Sequence, residues 1–338
     1  MKAKRVAFIG ERHAVLEEFE LDETLAPHEI MIRTLYSIIS AGTEGASFTG
    51  LEREHPGARE FSYPRYPGYG NVGEVIAVGR DVSDFHIGDI VLSTSPHASH
   101  WRVNTRYVCV RVPEDLLPLK AAFARMAAVS IAGIRKADYS LGDKVLVIGA
   151  GLVGNFAAQM FQLSGCDVML VDVIESRLER ARQCGIQRTV NASEVDIKQA
   201  VREWSGDGAQ ITIEAVGDSR LIAQAVDLTK RNGEVILLGS PRKRITMDVT
   251  PMLSRLHLLG ITMKGALEWL YPVPESPFQR FTVIGNLKQI FQWLRSDSLK
   301  TEPLLTHLLS PADCQRANDG LDARKDEYLG VIFDWSRV

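Results

Sequence analysis

The chain has 338 residues, 45 % hydrophobic and 24 % charged, with 39 Lys and Arg against 42 Asp and Glu and a formal charge of −3. That is enough apolar material for two domains of ordinary size, and it excludes a disordered chain. The near-balance of charge argues against nucleic acid or an anionic membrane as partner. Nowhere do about 18 apolar residues run together, so no transmembrane helix is expected. The apolar stretch Val6–Ile9 is cut off by Gly10-Glu11-Arg12-His13, too early for a secretory signal, and a cytoplasmic location is expected. Cys109, Cys166, Cys184 and Cys314 form no C-x-x-C pair and read as reduced packing thiols.

Up to about residue 120 the chain reads as short β-branched strands between turn signals, the pattern of a small barrel or sandwich. The strands are Val6–Ile9, Glu29–Arg33, Gly73–Val78 and Arg106–Val112. Pro56-Gly57, Pro67-Gly68, Gly79 and Gly88-Asp89 separate them. Ala121–Ala137 is alanine-rich and reads as one helix. Strands and helices then alternate. Lys144–Ile148 and Asp167–Val171 are buried strands, and Asn155–Leu163 is a helix. Glu175–Gln183 is a helix that Gly185 ends. Ser193-x-x-Asp196 resembles a capping box, with Ile197, Val201 and Trp204 following at helical spacing. Ile211–Val216, Glu234–Leu238 and Gly260–Met263 complete the strands of a parallel, doubly wound sheet. The last residues return to the first style. Leu287, Ile290, Phe291 and Leu294 mark an amphipathic helix, and Leu329–Phe333 a closing strand.

Gly149-Ala-Gly151-Leu152-Val153-Gly154 is a G-x-G-x-x-G that leaves a predicted strand and opens a predicted helix. In that context the glycines allow a tight turn, close approach of a pyrophosphate, and close helix–strand packing. The amides at the helix start then face the phosphate charge. Asp172 ends the next strand, where a carboxylate bonds both ribose hydroxyls and repels a 2′-phosphate, so NAD is expected over NADP. Arg177 is placed to cover the adenine.

Across nearly its whole length the chain resembles the medium-chain dehydrogenase/reductase superfamily. The resemblance rests on Pro67–Gly79, Phe85–Val91, Gly142–Gly149, Glu214–Gly217, Asn232–Gly239 and Leu304–His307, in that order. It implies a GroES-like β-barrel catalytic domain, split in sequence as 1–124 and 269–338, around a Rossmann domain, 125–268, with the active site in the cleft between them. It adds Val216, Gly217, Leu238, Gly239, Ala266 and Glu268 to the cofactor-binding residues. It implies a homodimer through strand Gly260–Met263, with a tetramer as the other possibility.

At the positions of the family's zinc ligands the chain carries other residues. Ala41 precedes Gly42-Thr43-Glu44, Tyr69 and Gly70 follow Gly68, and Arg125 stands near the start of the alanine-rich helix. Alanine and glycine offer no ligand atom and arginine repels a cation, so no metal is expected. The proton chemistry then falls to other groups. Tyr69 takes the place of a ligand histidine, Thr43 matches the hydroxyl relay position, and Arg125 could pair a substrate anion or Glu44. His97, His100 and Trp101 lie on the segment that lines the cleft in relatives. Of these, Tyr69, Thr43, Glu44, Arg125 and His100 are the candidate catalytic residues.

The expected function is a zinc-independent, NAD-dependent oxidoreductase moving hydride between NAD and a secondary alcohol or ketone, a small molecule such as a sugar or polyol derivative. The alternatives are an NAD(P)H-dependent reductase of enones or quinones and a non-catalytic NAD(H)-binding sensor.

Overall fold

The computed structural model describes residues 1–54 and 61–338, so the turn expected at Pro56-Gly57 lies outside the described residues. The described residues form two compact units, one of 1–53, 61–128 and 271–338, the other of Glu54 and 129–270. The sequence reading puts the boundaries at 124/125 and 268/269. The first division falls inside a continuous helix, where composition carries no break.

The first unit opens with β1 (Lys2–Gly10) and β2 (His13–Glu20), an antiparallel pair. β3 (Glu29–Ile38) leads into the short helix α1 (Thr43–Phe48). β4 (Asn71–Val78), β5 (Ile90–Ser93), β6 (His100–Asn104) and β7 (Cys109–Arg111) follow. The predicted strand Arg106–Val112 shortens to β7 because residues 105–108 form a turn, in which the Tyr107 amide donates to the Asn104 carbonyl at 3.1 Å. The alanine-rich segment is two helices, not one. α2 (Pro118–Ala122) starts at a proline and breaks at Phe123, and α3 (Ala124–Lys136) continues.

The second unit is a parallel sheet of β8 (Lys144–Ile148), β9 (Asp167–Asp172), β10 (Arg188–Asn191), β11 (Ala209–Glu214), β12 (Thr229–Leu237) and β13 (Thr262–Gly265). The helices are α4 (Leu152–Leu163), α5 (Glu175–Gln183), α6 (Ile197–Ser205), α7 (Ser219–Leu228) and α8 (Thr250–Leu259). The strand order β10-β9-β8-β11-β12-β13 reverses between β8 and β11, which is the dinucleotide-binding arrangement. Two local readings need correction. Asp196 is itself the N-cap of α6, accepting the Lys198 amide at 2.8 Å, while Ser193 bonds Asn191. An N-cap carboxylate serves the amide two residues on, so the capping box is shifted. Gly260 at φ +64 closes α8 instead of opening the strand, which begins at Thr262.

The chain then returns to the first unit through α9 (Val283–Arg295), β14 (Leu305–Leu309), α10 (Cys314–Ala323) and β15 (Gly330–Asp334). The larger sheet there runs β14-β15-β3-β4-β5-β7, with β6 also pairing β3. Phe8, Phe48, Tyr328, Phe333 and Trp335 form its principal core. The architecture is the GroES-like barrel plus Rossmann sheet that the sequence predicts.

Candidate active site

In the second unit the expected cofactor residues gather at the carboxyl ends of the strands. Gly149 follows β8, Asp172 ends β9, Val216 and Gly217 follow β11, Leu238 and Gly239 follow β12, and Ala266 and Glu268 follow β13. Gly149 has φ +102, a conformation that favours glycine. A Cβ on Gly154 would sit 1.8 Å from the Gly149 carbonyl oxygen, so helix and loop touch through backbone. A Cβ on Gly151 would meet nothing within 4 Å. Gly151 is the N-cap of α4 and no side chain caps that helix. The first-turn amides of Leu152 and Val153 thus start a helix without a side-chain cap, the arrangement that receives a phosphate.

Asp172 is buried. Its Oδ2 accepts the Ala150 amide at 2.7 Å, and its Oδ1 accepts the amides of Val173 and Ile174 at 2.8 and 3.0 Å. Arg177 lies 3.9 Å from Oδ2. The carboxylate therefore ties the glycine loop to the start of α5. Glu214 plays a matching part after β11. Its carboxylate accepts the amides of Val216 and Gly217 at 2.8–3.0 Å. Its carbonyl accepts those of Leu238 and Gly239 at 2.9 and 2.8 Å. Burial pushes the Glu214 carboxyl above its ordinary range, against the opposing pull of those amides. Val216 is 55 % exposed, whereas Leu238, Ala266 and Glu268 are buried.

In the first unit Tyr69, Glu44 and Arg125 enter one cluster. The Tyr69 hydroxyl donates to Ser40 Oγ at 2.6 Å. The Arg125 guanidinium carbon is 4.8 Å from the centre of the Tyr69 ring, a cation–π contact, and the Arg125 side chain is fully buried. Glu44 pairs with His97, not with Arg125. Its Oε2 is 2.8 Å from His97 Nε2 and its Oε1 accepts the Ser40 amide at 2.8 Å. His97 Nδ1 is 2.8 Å from Ser37 Oγ, which also accepts from Trp335 Nε1 at 2.9 Å. Thr43 begins α1 and is exposed.

The structure does not bring His100 into this cluster. His100 lies on β6, bonds Ser99 at 3.2 Å, and lines a groove of about 850 Å³ with Arg33, Tyr36 and Leu117. Burial and the neighbouring Arg33 lower its pKa. His307 stacks on Tyr328 with ring centroids 3.7 Å apart. Sequence reasoning missed Ser37 and Trp335 and gave His97 no partner. One signal was available: an acidic residue buried after Gly42-Thr43 needs a donor, and the chain has only 8 histidines.

Residues 153–273 match the family profile described as "Zinc-binding dehydrogenase". The chain is 26 % identical over 307 residues to an L-threonine 3-dehydrogenase of Deinococcus deserti, covering 81 % of this chain and 83 % of that one. Its strand order, its glycine loop and this match agree. Its fold is that of solved alcohol dehydrogenases. The chain is 27 % identical over 244 residues to a D-guloside 3-dehydrogenase of Shigella flexneri, with 66 % and 69 % of the two chains covered. Galactitol-1-phosphate dehydrogenase from Escherichia coli shares its fold with a TM-score of 0.83 at 19 % identity, over 98 % of this chain and 99 % of that one.

Proposed function

We propose that this alcohol dehydrogenase-like protein is an NAD-linked oxidoreductase that interconverts a secondary alcohol and a ketone, on a sugar or polyol derivative, without a catalytic zinc ion. The observation that carries the reading is the Tyr69 hydroxyl, held by Ser40, with a buried guanidinium against its ring. That is a proton donor beside a fixed positive charge, the two elements that an alkoxide-like transition state needs.

The residues at the family's metal position do not suit zinc. Ala41 and Gly70 offer no donor atom, Tyr69 is engaged with Ser40, and Arg125 is a buried cation. No step is therefore routed through a metal. The dinucleotide does fit. The open space at Gly151 and the uncapped start of α4 suit its pyrophosphate, and the Asp172 carboxylate suits an unphosphorylated ribose. When bound, NAD accepts or returns the hydride. In ketone reduction Tyr69 gives its hydroxyl proton to the substrate oxygen, leaving a phenolate beside the Arg125 guanidinium; in alcohol oxidation that phenolate takes the proton back from the substrate hydroxyl.

β13 is the edge strand of the six-stranded sheet and is half-exposed. We expect a homodimer, or a tetramer built from it, through this edge, since an unpaired edge strand invites pairing. Light scattering behind size exclusion reads the mass directly. The chemical reading is tested by Tyr69→Phe. Turnover of the responsive substrate should fall about 10²- to 10⁴-fold while NADH still binds. Unchanged turnover removes Tyr69 from the reaction.

A further inference from the structure

The buried chain Trp335–Ser37–His97–Glu44–Ser40 can be assigned a direction atom by atom. An indole nitrogen only donates, so Trp335 Nε1 gives its proton to Ser37 Oγ, 2.9 Å away. Among the described residues Ser37 Oγ has one other partner, His97 Nδ1 at 2.8 Å, so the serine hydroxyl donates there. Nδ1 is then an acceptor and the ring proton lies on Nε2. That nitrogen donates to Glu44 Oε2 at 2.8 Å, and a carboxylate can only accept. Glu44 Oε1 takes the Ser40 amide. With a neutral imidazole and an ionised Glu44 every one of these polar atoms is satisfied. A doubly protonated His97 would leave the Ser37 hydroxyl proton without an acceptor inside the core, where His97 is 1 % exposed and Glu44 4 %.

The same histidine grips Tyr69 from its other side. The His97 amide donates to the Pro67 carbonyl at 2.9 Å, and a Cβ on Gly68 would stand 2.4 Å from the His97 nitrogen. His97 therefore fixes the backbone just before Tyr69. Through Glu44 it also fixes the backbone of Ser40, whose hydroxyl receives the Tyr69 proton. Its ring packs edge-on against Phe333, with centroids 5.2 Å apart, so it has no room to turn.

We propose that His97 and Glu44 are positioning residues for the Tyr69 hydroxyl, with His97 held as the neutral tautomer protonated at Nε2. This rests on the reading of Tyr69 as the proton donor. Glu44→Gln is the informative variant. Its amide oxygen still accepts the Ser40 amide, but its NH₂ group now faces Nε2. The imidazole proton then moves to Nδ1, with Ser37 accepting from both Trp335 and His97 and its own hydroxyl proton left without an acceptor, a smaller loss than leaving the Ser40 amide and the imidazole both unpartnered. Glu44→Ala has no such rescue.

The test combines imidazole ¹⁵N resonances of the full-length protein with steady-state kinetics. His97→Gln identifies the His97 signals. The expected result is an Nε2-protonated ring in the wild type and an Nδ1-protonated ring in Glu44→Gln. Glu44→Ala should lose about 10- to 100-fold in kcat with little change in KM, and Glu44→Gln should recover most of it. An Nδ1-protonated or doubly protonated ring in the wild type overturns the assignment without any turnover measurement. If Tyr69→Phe abolishes turnover and Glu44→Ala does not, the positioning claim fails and the donor reading stands. If Tyr69→Phe is silent, the donor reading itself fails.

Discussion

A Cβ added to Gly70 would lie 2.8 Å from Cγ of Arg125 and 2.8 Å from Cγ2 of Ile38. The stem of the buried arginine fills the volume a side chain at position 70 would need. The glycine at 70 and the arginine at 125 are thus one packing solution. Gly70→Ala is expected to destabilise the barrel unit by about 1–3 kcal/mol through overpacking. Urea unfolding of the two proteins checks it, and an unchanged midpoint removes the packing argument.

Gly154 meets the Gly149 carbonyl even more closely. The 1.8 Å approach leaves no room for a methyl group, and both partners are backbone. Gly154→Ala must push α4 off the β8 loop and so displace the amides offered to the pyrophosphate. NADH fluorescence titration is expected to give at least a tenfold weaker Kd, with the barrel unit still folded by near-UV circular dichroism.

Asp172 stands between cofactor choice and loop structure. Asp172→Asn keeps an acceptor for the Ala150 amide or for the Val173 and Ile174 amides, not both, and removes the charge. The expected outcome is weaker NADH binding and a smaller discrimination against NADPH. Parallel titrations with both cofactors read the ratio. A wild type that prefers NADPH contradicts the assignment of Asp172 to the ribose.

Glu214 predicts a pH effect with a definite sign. Burial raises its carboxyl above the ordinary value of 4.5. The folded protein thus holds this proton more tightly than the unfolded chain. The stability it contributes is complete below 4.5 and is lost as pH rises through the raised value. Glu214→Gln does not titrate and keeps one oxygen for the Val216 and Gly217 amides. The stability difference, variant minus wild type, should therefore grow with pH across that window and stay flat on either side. Urea unfolding at a series of pH values measures it, and a difference that shrinks with rising pH contradicts the assignment.

What could be read from the sequence follows from which signals are local. Helix α5 was legible to the residue because Glu175–Gln183 carries its own periodicity and Gly185 its own stop. The glycine loop was legible because its G-x-G-x-x-G spacing is local and Gly154 meets the Gly149 carbonyl five residues away. β2 was not, since Glu17, Glu18 and Glu20 hide its alternation, and α8 was not, since none of its residues is buried. The break at Phe123 had no marker beyond Pro118. The His97–Glu44 pair was invisible for a different reason. Its members stand 53 residues apart, and Trp335 reaches Ser37 across 298. Only the folded barrel brings such residues to one point, so the family resemblance could suggest Tyr69 and Arg125 by position but not the chain that holds them.

The central claim is that hydride transfer here runs without zinc. The most direct measurement is nicotinamide absorbance after adding NAD and a panel of sugars, polyols and hydroxy acids to chelator-treated protein, with metal content determined on the same sample. The account predicts turnover of at least one secondary alcohol with far less than one zinc per chain, undiminished by the chelator and lost in Tyr69→Phe. Turnover that disappears with the chelator and returns with added zinc would contradict it.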